Sequence, residues 1–363
     1  MAPYFSQHFA NPHAADHSEG WLAHAAVEEA ASKLASAIGA DGDEVVFTSG
    51  ATEANNLAIL GLARRAPESR RRILVSAIEH KCVLSSAQAA AAMGLTVELL
   101  PVDGQGLIDV DKLKRRLSDD VLLVSVMAVN NEIGTIQDIA SISILARGVG
   151  AFVHTDAVQA MAVGPIDVNS WDVDTLSLSA HKVYGPKGIG ALYIRRDVQS
   201  KVEPLIYGGG QQNGIRSGTL PVPLCVGFSE AASLMVDSGA QAERVRLTVL
   251  RDKFVDSLRA RDGRIELNGP VGSARHPGNA NVRFTGLDAR DLIAALQPRV
   301  AASTGSACST GIPEPSHVLR AIGLSGSEAE SSVRFSLGRF TSDSEVSQAV
   351  DLVVEAARAL RDV

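Results

Sequence analysis

A lysine directly after an apolar strand is the first residue in this sequence whose placement suggests chemistry. Lys182 stands in the run SAHKVYGPKG at 179–188, between the predicted strand Thr175–Ser179 and a turn rich in Gly and Pro. A lysine at a strand end can offer a desolvated amine with a lowered pKa, which suits it to form a Schiff base with a carbonyl group. The alternative is an ordinary loop lysine whose neighbours are turn residues.

An aspartate ends an earlier predicted strand of the same kind. Asp156 follows the predicted strand Phe152–Thr155 in the run VHTDAVQ. In open α/β sheets the carboxyl ends of strands face the crevice in which ligands bind. An aspartate that keeps a pyridinium nitrogen protonated is the partner that a lysine bound to pyridoxal 5'-phosphate (PLP) requires. A surface-loop aspartate is the alternative.

A turn of small and hydroxyl residues joins another predicted strand to a helix. The run TSGATEANN at 48–56 leaves backbone N–H groups free at a helix N-terminus, which is a ready site for an anion such as phosphate. A simple helix cap explains Thr52 and Glu53 equally well. A phosphate turn, an aspartate and a lysine in this order indicate more together than each does alone.

Cys308 lies in a run whose composition differs from that around the other cysteines. The run ASTGSACSTG at 302–311 is too rich in small and hydroxyl residues to pack as a core. We therefore interpret Cys308 as an accessible nucleophilic thiol rather than a structural cysteine. Cys82 and Cys225 are interpreted as structural.

The elements that must position these residues alternate between short apolar strands and Ala-rich helices, which is typical of an α/β fold with an open sheet. The predicted strands of the first part are Glu44–Thr48, Arg72–Ala77, Thr96–Leu100, Val121–Val129, Phe152–Thr155, Thr175–Ser179 and Gly190–Ile194. The predicted helices there are Trp21–Ile38, Glu53–Arg65, Val83–Met93 and Asp109–Leu117.

The C-terminal part has a different pattern. One long predicted helix, Cys225–Arg261, is followed by the strands Arg264–Leu267, Ala280–Phe284 and Ser332–Leu337 and the helices Ala289–Leu296, Pro315–Ile322 and Ser344–Leu360. At 363 residues the chain is long enough for two domains. We expect a large domain over 1–239 and a smaller α+β domain over 240–363.

Composition excludes several classes of protein. The net charge of −7, with 34 basic against 41 acidic residues and no long basic run, argues against nucleic-acid binding. The sequence contains no apolar run long enough to span a membrane. Three widely spaced cysteines form neither a disulfide framework nor a metal motif. These features favour a cytoplasmic protein without a bound metal.

Beyond these motifs, a resemblance covers nearly the whole chain. The sequence resembles the PLP-dependent cysteine desulfurases of the NifS/IscS type, in the class V aminotransferase family of fold type I. The matching runs are TSGATEANN at 48–56, EHK at 79–81, NNEIG at 130–134, HTDAVQ at 154–159, SAHKVYGPKG at 179–188, GGGQQNGIRSGTL at 208–220, STGSACSTG at 303–311 and SSVRFSLGRFT at 331–341. The resemblance implies a large domain with a mostly parallel seven-stranded sheet and a small domain that carries the cysteine loop.

The resemblance also implies roles for residues around the ring of the cofactor. Lys182 would hold PLP covalently, Asp156 would pair with the pyridine nitrogen, and Gln159 would hydrogen-bond the phenolic oxygen. His80 would stack on the ring and move protons. Asn131 would contact both cofactor and substrate.

A second group of residues would hold the phosphate in proteins of this kind. By resemblance these are the backbone of Ala51, together with Thr52, Ser179 and His181. Thr219 would reach the phosphate bound to the other subunit, so the resemblance implies a homodimer.

The implied reaction is the conversion of L-cysteine to L-alanine. Arg334 would bind the substrate carboxylate, a role that suits its planar fork of donors. The Cys308 thiolate would attack the substrate sulfur and carry it as a persulfide to an acceptor protein, such as an iron–sulfur cluster scaffold or a tRNA-thiolation enzyme. The alternatives are a selenocysteine lyase and a non-catalytic or impaired PLP-binding paralogue that acts through partner contacts.

The N-terminus departs from the pattern of the resembled family. Family members usually begin with a strand and an Ala-Thr-Thr-like turn well before an Asn-Pro step. Here Ala10-Asn11-Pro12 comes almost at once. The expectation is that this N-terminal segment is missing, which would weaken the small domain and the activity.

Overall fold

The computed structural model describes residues 1–305 and 315–362. The chain forms two compact units. The first comprises Met1–Leu100, Val110–Ala128 and Gln137–Ala240, and the second comprises Pro101–Asp109, Val129–Ile136 and the described part of Gln241–Val363. The units do not follow a single division of the sequence, because two short segments from the first half belong to the second unit.

A seven-stranded sheet forms the centre of the first unit. Its strands lie in the order β1-β7-β6-β5-β4-β2-β3, and only β7 runs antiparallel to its neighbours. Apolar side chains cover both faces, which explains the nearly continuous apolar runs of the sequence. The mostly parallel sheet predicted from the sequence is confirmed. The strands are β1 Val45–Thr48, β2 Arg72–Ser76, β3 Thr96–Leu100, β4 Val121–Ser125, β5 Phe152–Asp156, β6 Thr175–Ser179 and β7 Gly190–Ile194.

Helices connect these strands and pack on the sheet. Helix α3 lies against α4 and against the central strands, and its buried face is mostly Ala, Leu and Ile but also contains Asn55. The helices of this unit are α1 Pro3–Ser6, α2 Ser18–Ser36, α3 Ala51–Arg64, α4 Lys81–Ala92, α5 Val110–Arg116, α6 Ile139–Gly148, α7 Val168–Trp171 and α8 Val222–Ser233.

The second unit has an antiparallel three-stranded sheet in the order β10-β9-β8. Its own apolar core includes Phe254, Phe284 and Phe335. The strands are β8 Ile265–Leu267, β9 Asn279–Phe284 and β10 Ser332–Ser336. The helices are α9 Ala240–Arg261, α10 Ala289–Leu296, α11 His317–Ala321, α12 Gly326–Glu330 and α13 Asp343–Arg361.

The single long helix predicted over Cys225–Arg261 is wrong. The chain leaves α8 after Ser233 and begins α9 at Ala240. Asp237 accepts hydrogen bonds from the backbone N–H groups of Gly239, at 2.9 Å, and Ala240, at 3.0 Å. The first backbone N–H groups of a helix have no partner within the helix. A side-chain acceptor such as Asp237 pairs with them, so it favours the start of a new helix here. Among the described residues, no helix combines the length and apolarity needed to cross a membrane.

Candidate active site

The turn between β1 and α3 forms the candidate anion site of the first unit. Helix α3 has fourteen residues and begins with Ala51 and Thr52, so its first backbone N–H groups point out of the helix end. Gly190 lies against this turn: a Cβ there would come within 2.6 Å of the Gly50 carbonyl carbon. The backbone turn can therefore approach β7 closely only because residue 190 has no side chain.

An ion pair connects this turn to the glycine-rich loop 208–220. Arg216 donates to Glu53 on α3 over 2.7 Å, and Glu53 also accepts from the Ser49 backbone N–H at 2.7 Å. Burial raises the pKa of Glu53, but the hydrogen bonds from Arg216 and Ser49 outweigh it and leave the pKa below its ordinary value. The loop is thus held to the start of α3 by a charged contact.

Lys182 lies where β6 ends. Ser179 is the last residue of β6, and Ala180–Lys182 forms a short 3-10 turn after it. The Ser179 hydroxyl and His181 Nδ1 are 2.9 Å apart, so two of the predicted phosphate ligands contact each other. Lys182 as a whole residue is exposed, and the desolvation of its amine stays a prediction.

Asp156 ends β5 and is almost fully buried. It accepts hydrogen bonds from the Val158 backbone N–H, at 3.0 Å, and from Asn55 Nδ2, at 2.8 Å. Burial raises the pKa of Asp156, and these donors and the positive charges of His80 and Lys182 oppose that rise. The structure therefore brings Asp156 within electrostatic reach of both His80 and Lys182.

His80 caps the start of α4. Its Nδ1 accepts the Cys82 backbone N–H at 3.2 Å, so a neutral His80 ring carries its proton on Nε2. Cys82 lies 3.0 Å from the same nitrogen and also hydrogen-bonds Thr52 and Asn55. Burial raises the pKa of Cys82 to about 11 and that of Cys225 to about 12, so both remain thiols at neutral pH. This agrees with their interpretation as structural cysteines.

Sequence reasoning missed three buried polar residues around Asp156. Glu79 accepts from the Met127 backbone N–H, and burial together with the Asp156 charge places its pKa well above the ordinary value. Asn55 and His154 are also fully buried in this cluster. His154 stands two residues before Asp156 in a strand, so the two-residue period already placed both side chains on one face of the sheet.

In the second unit, Arg334 and Asn131 are in contact. Arg334 stands on β10, and its Nη1 donates to the Asn131 carbonyl at 3.1 Å. Its backbone is held by Ser303, with hydrogen bonds of 2.6 and 3.1 Å. Burial lowers the pKa of Arg334, against the opposing charge of Glu132. The Arg334 Nε is buried and has no hydrogen-bond partner in the described part of the chain.

The sequence matches the family model for class-V aminotransferases over residues 1–349. It is 45% identical to the protein named cysteine desulfurase IscS of Rickettsia felis, an alignment that covers 100% of this chain and 88% of that protein. The chain belongs to the class-V aminotransferase family. Within that family it belongs with the cysteine desulfurases, and the resemblance found in the sequence motifs is confirmed.

Solved structures of class-V aminotransferase relatives have the same fold. A structure titled NifS-like protein superposes with a TM-score of 0.92 at 31% identity, covering 99% of this chain and 94% of the other. A second structure, titled SspA in complex with cysteine, superposes with a TM-score of 0.80 at 38% identity, covering 94% of each chain. The predicted α/β architecture of fold type I is thereby confirmed.

For two of the remaining predicted site residues of this class-V aminotransferase, the structure gives position and exposure but no hydrogen bond to the other described site residues. Gln159 is half-buried just after β5, and Thr219 is exposed in the loop 208–220. The nucleophile predicted at Cys308 lies outside the described residues. The structure thus groups Thr52, His80 and Asp156 in the first unit, and Asn131 with Arg334 in the second.

Proposed function

We propose that this chain is a PLP-dependent cysteine desulfurase, which converts L-cysteine to L-alanine and holds the sulfur as a persulfide on Cys308. The observation that carries the proposal is the cluster at the carboxyl edge of the sheet. There the buried Asp156 carboxylate lies within electrostatic reach of His80 and Lys182. This cluster occurs in a chain that is 45% identical over its whole length to a protein named cysteine desulfurase.

The donor set of the first unit suits a phosphate group. The N-terminus of α3 provides backbone N–H groups at Ala51 and Thr52, and a helix start favours an anion. Ser179 and His181, which contact each other, add a hydroxyl and an imidazole. In this proposal these four residues hold the phosphate of PLP, and Thr219 of a second copy of the chain completes the set.

The residues proposed to bind the PLP ring suit its functional groups: a carboxylate for the ring nitrogen and an amine for the aldehyde. Bound PLP supplies an electron sink for the α-carbon of an amino acid. Lys182 would provide the amine that attaches it, and Asp156 would accept the hydrogen bond of the protonated ring nitrogen. His80 would stack on the ring and move protons. Gln159 and Asn131 complete the contacts in this proposal.

Arg334 is suited to the substrate carboxylate because a buried guanidinium with an unused N–H favours a planar anion. Cys308 provides the sulfur nucleophile. Its thiolate bonds to the substrate sulfur as the Cβ–S bond breaks, so that L-cysteine and one thiol become L-alanine and one persulfide. The persulfide then passes to an acceptor protein.

The proposal also covers the oligomeric state of the protein, its compartment and its sulfur acceptor. We expect a homodimer in the cytoplasm, and the acceptor is a cluster scaffold or a thiolation enzyme. Unpaired Cys82 and Cys225 fit a reducing compartment. A domain boundary after residue 239 likewise remains a prediction.

The test is to incubate the PLP-loaded protein with L-cysteine under a reductant and to quantify alanine and sulfide, with L-selenocysteine in parallel. We expect equal amounts of alanine and sulfide. Bound PLP without alanine would favour the non-catalytic paralogue, and turnover of L-selenocysteine alone would favour the selenocysteine lyase. Either result contradicts the proposal.

A further inference from the structure

A chain of fully buried polar side chains lies beneath Asp156. Thr175 Oγ1 on β6 is 2.8 Å from His154 Nδ1 on β5, and His154 Nε2 is 2.9 Å from Asn55 Oδ1 on α3. Asn55 Nδ2 in turn lies 2.8 Å from Asp156 Oδ2. The first three residues of this chain are wholly inaccessible to solvent. The proposed pairing of Asp156 with a ring nitrogen does not by itself require Thr175, His154 or Asn55.

The direction of every bond in this chain follows from hydrogen-bond chemistry. An ionised Asp156 can only accept, so the Asn55 amide must turn its NH2 group toward it. The second hydrogen of that NH2 group is directed to Cys82 Sγ, 3.3 Å away. The Asn55 oxygen then faces His154 and requires a donor, so His154 carries its proton on Nε2. His154 Nδ1 is therefore the acceptor of the Thr175 hydroxyl proton.

His154 remains neutral in this arrangement. Burial lowers its pKa to about 3, so no charge competes with the Asp156 carboxylate. A reversed Asn55 amide would place its oxygen against the oxygen of the ionised Asp156 carboxylate. That contact would be repulsive in a site without water, so an ionised Asp156 fixes the direction of the chain.

We propose that His154 and Asn55 are positioning residues, which form a one-way relay of hydrogen bonds from Thr175 to Asp156 and keep that carboxylate ionised for the ring nitrogen of the cofactor. This inference rests on the proposed function of the site. The physical reason is that burial penalises the carboxylate, and the Asn55 and Val158 donors offset that penalty. Without a fixed Asn55, Asp156 binds a proton more tightly and protonates the ring nitrogen less.

The test compares His154→Leu, which removes the donor to Asn55, with His154→Gln, whose amide can restore that donor. Ser125→Ala is the matched control, since Ser125 pairs with His154 in the sheet and its buried hydroxyl has no hydrogen-bond partner in the described part of the chain. The other titratable groups that act on Asp156 or lie beside it are unchanged in all three variants; they are Glu79, His80, Cys82 and Lys182.

The first readout needs no cofactor. A ¹³C-carboxyl NMR titration of the PLP-free protein should show about a tenfold tighter proton affinity of Asp156 in His154→Leu, as expected when a hydrogen bond to a charged group is lost. His154→Gln should recover most of the change, and Ser125→Ala should match the parent protein. An unchanged Asp156 titration in His154→Leu would overturn the proposal.

The second readout uses protein loaded with PLP labelled by ¹⁵N in its ring. We expect the ring ¹⁵N resonance of His154→Leu to move toward the unprotonated position, and kcat to fall by roughly ten- to a hundredfold. The KM for L-cysteine should stay within about twofold, because the relay acts through Asp156. Lost stability with an unmoved ring resonance would mean a purely structural role and would contradict the relay.

If His154→Leu does not fold, Thr175→Val replaces it as the variant. It removes the hydroxyl donor while keeping the imidazole, so smaller shifts in the same directions are expected. The absence of any shift in Thr175→Val would overturn the proposal. Measurements on the parent protein separate the proposed desulfurase function from the proposed hydrogen-bond relay. PLP binding without alanine formation refutes the desulfurase, whereas the Asp156 titration still decides on the relay.

Discussion

The polar cluster around Asp156 and the polar contact at Arg334 are both buried, yet they differ in how their hydrogen bonds are met. Beneath Asp156, the donors and acceptors of Asn55 and His154 are matched within the first unit. At Arg334 in the second unit, Nη1 binds the Asn131 carbonyl while the buried Nε has no partner among the described residues.

This difference suits the two regions to different functions, the control of a protonation state and the binding of an anion. The matched hydrogen bonds of Asn55 and His154 favour one protonation state of the Asp156 carboxylate, which is what its proposed pairing with a ring nitrogen needs. A buried donor without a partner costs free energy in the empty site and regains it when an anion binds. In the proposed function, the first region prepares the chemistry and the second binds the substrate.

The largest effect on this comparison is expected from Lys182→Ala in the first unit. The change removes the amine that is proposed to attach PLP, so the visible absorbance band and the borohydride-reducible adduct should disappear. Activity should be lost, because no amine is left at this position to attach the cofactor covalently. Lys187→Ala, at another exposed lysine of the same run, is the control and should keep both signals. A reducible adduct that persists in Lys182→Ala would mean that another lysine attaches PLP.

A smaller and different effect is expected from Arg334→Lys in the second unit. Lysine keeps the positive charge but loses the two-pronged contact with a carboxylate, so KM for L-cysteine should rise by roughly tenfold or more while PLP absorbance is unchanged. Arg339→Lys is a suitable control because Glu243 already pairs with Arg339 at 2.8 Å. A fall in kcat without a change in KM would place Arg334 among the residues that prepare the chemistry, and the comparison would fail.

The smallest effect is expected at the ion pair between Glu53 and Arg216. The pKa of Glu53 is lowered on folding, so its carboxylate adds stability above the ordinary value of 4.5, and this contribution is lost as pH falls through the lowered pKa. Glu53→Gln should therefore lower the free energy of unfolding by about 1 kcal/mol at pH 7 and by much less near pH 3.

Thermal unfolding of the Glu53→Gln variant across that pH range provides the measurement. Glu68→Gln is the control, because Glu68 is almost fully exposed and lies 3.9 Å from Arg71. A stability difference between the parent protein and Glu53→Gln that is constant from pH 7 to pH 3 would show that the charge of Glu53 plays no part.

Local patterns were sufficient to predict the sheet. Strands such as β4 and β7 are buried along their whole length, and their residues are almost all apolar. The helices were harder, because their ends depend on single polar side chains. Asp237 divides the predicted long helix, and Asp138 caps α6, which the sequence reading missed, through the Ser141 backbone N–H.

The site was predictable only in part for a similar reason. The chemistry of Lys182 and Asp156 is visible in residue types at strand ends. The Asp156 partner Asn55 comes from α3, the His154 partner Thr175 comes from β6, and only the folded chain brings them together. The desolvation of the Lys182 amine stays a prediction, because burial depends on neighbours that are distant in sequence.

The central claim is that Cys308 takes the sulfur of L-cysteine, and peptide mass spectrometry tests it most directly. The PLP-loaded protein is incubated with L-cysteine without reductant, its thiols are trapped by alkylation, and alanine is counted in the same sample. The account predicts one extra sulfur on Cys308 and one alanine for each persulfide. It also predicts that Cys308→Ser loses the persulfide while keeping PLP absorbance, since a serine hydroxyl is a poor nucleophile at neutral pH. Extra sulfur on Cys82 or Cys225, with Cys308 unmodified, would contradict it.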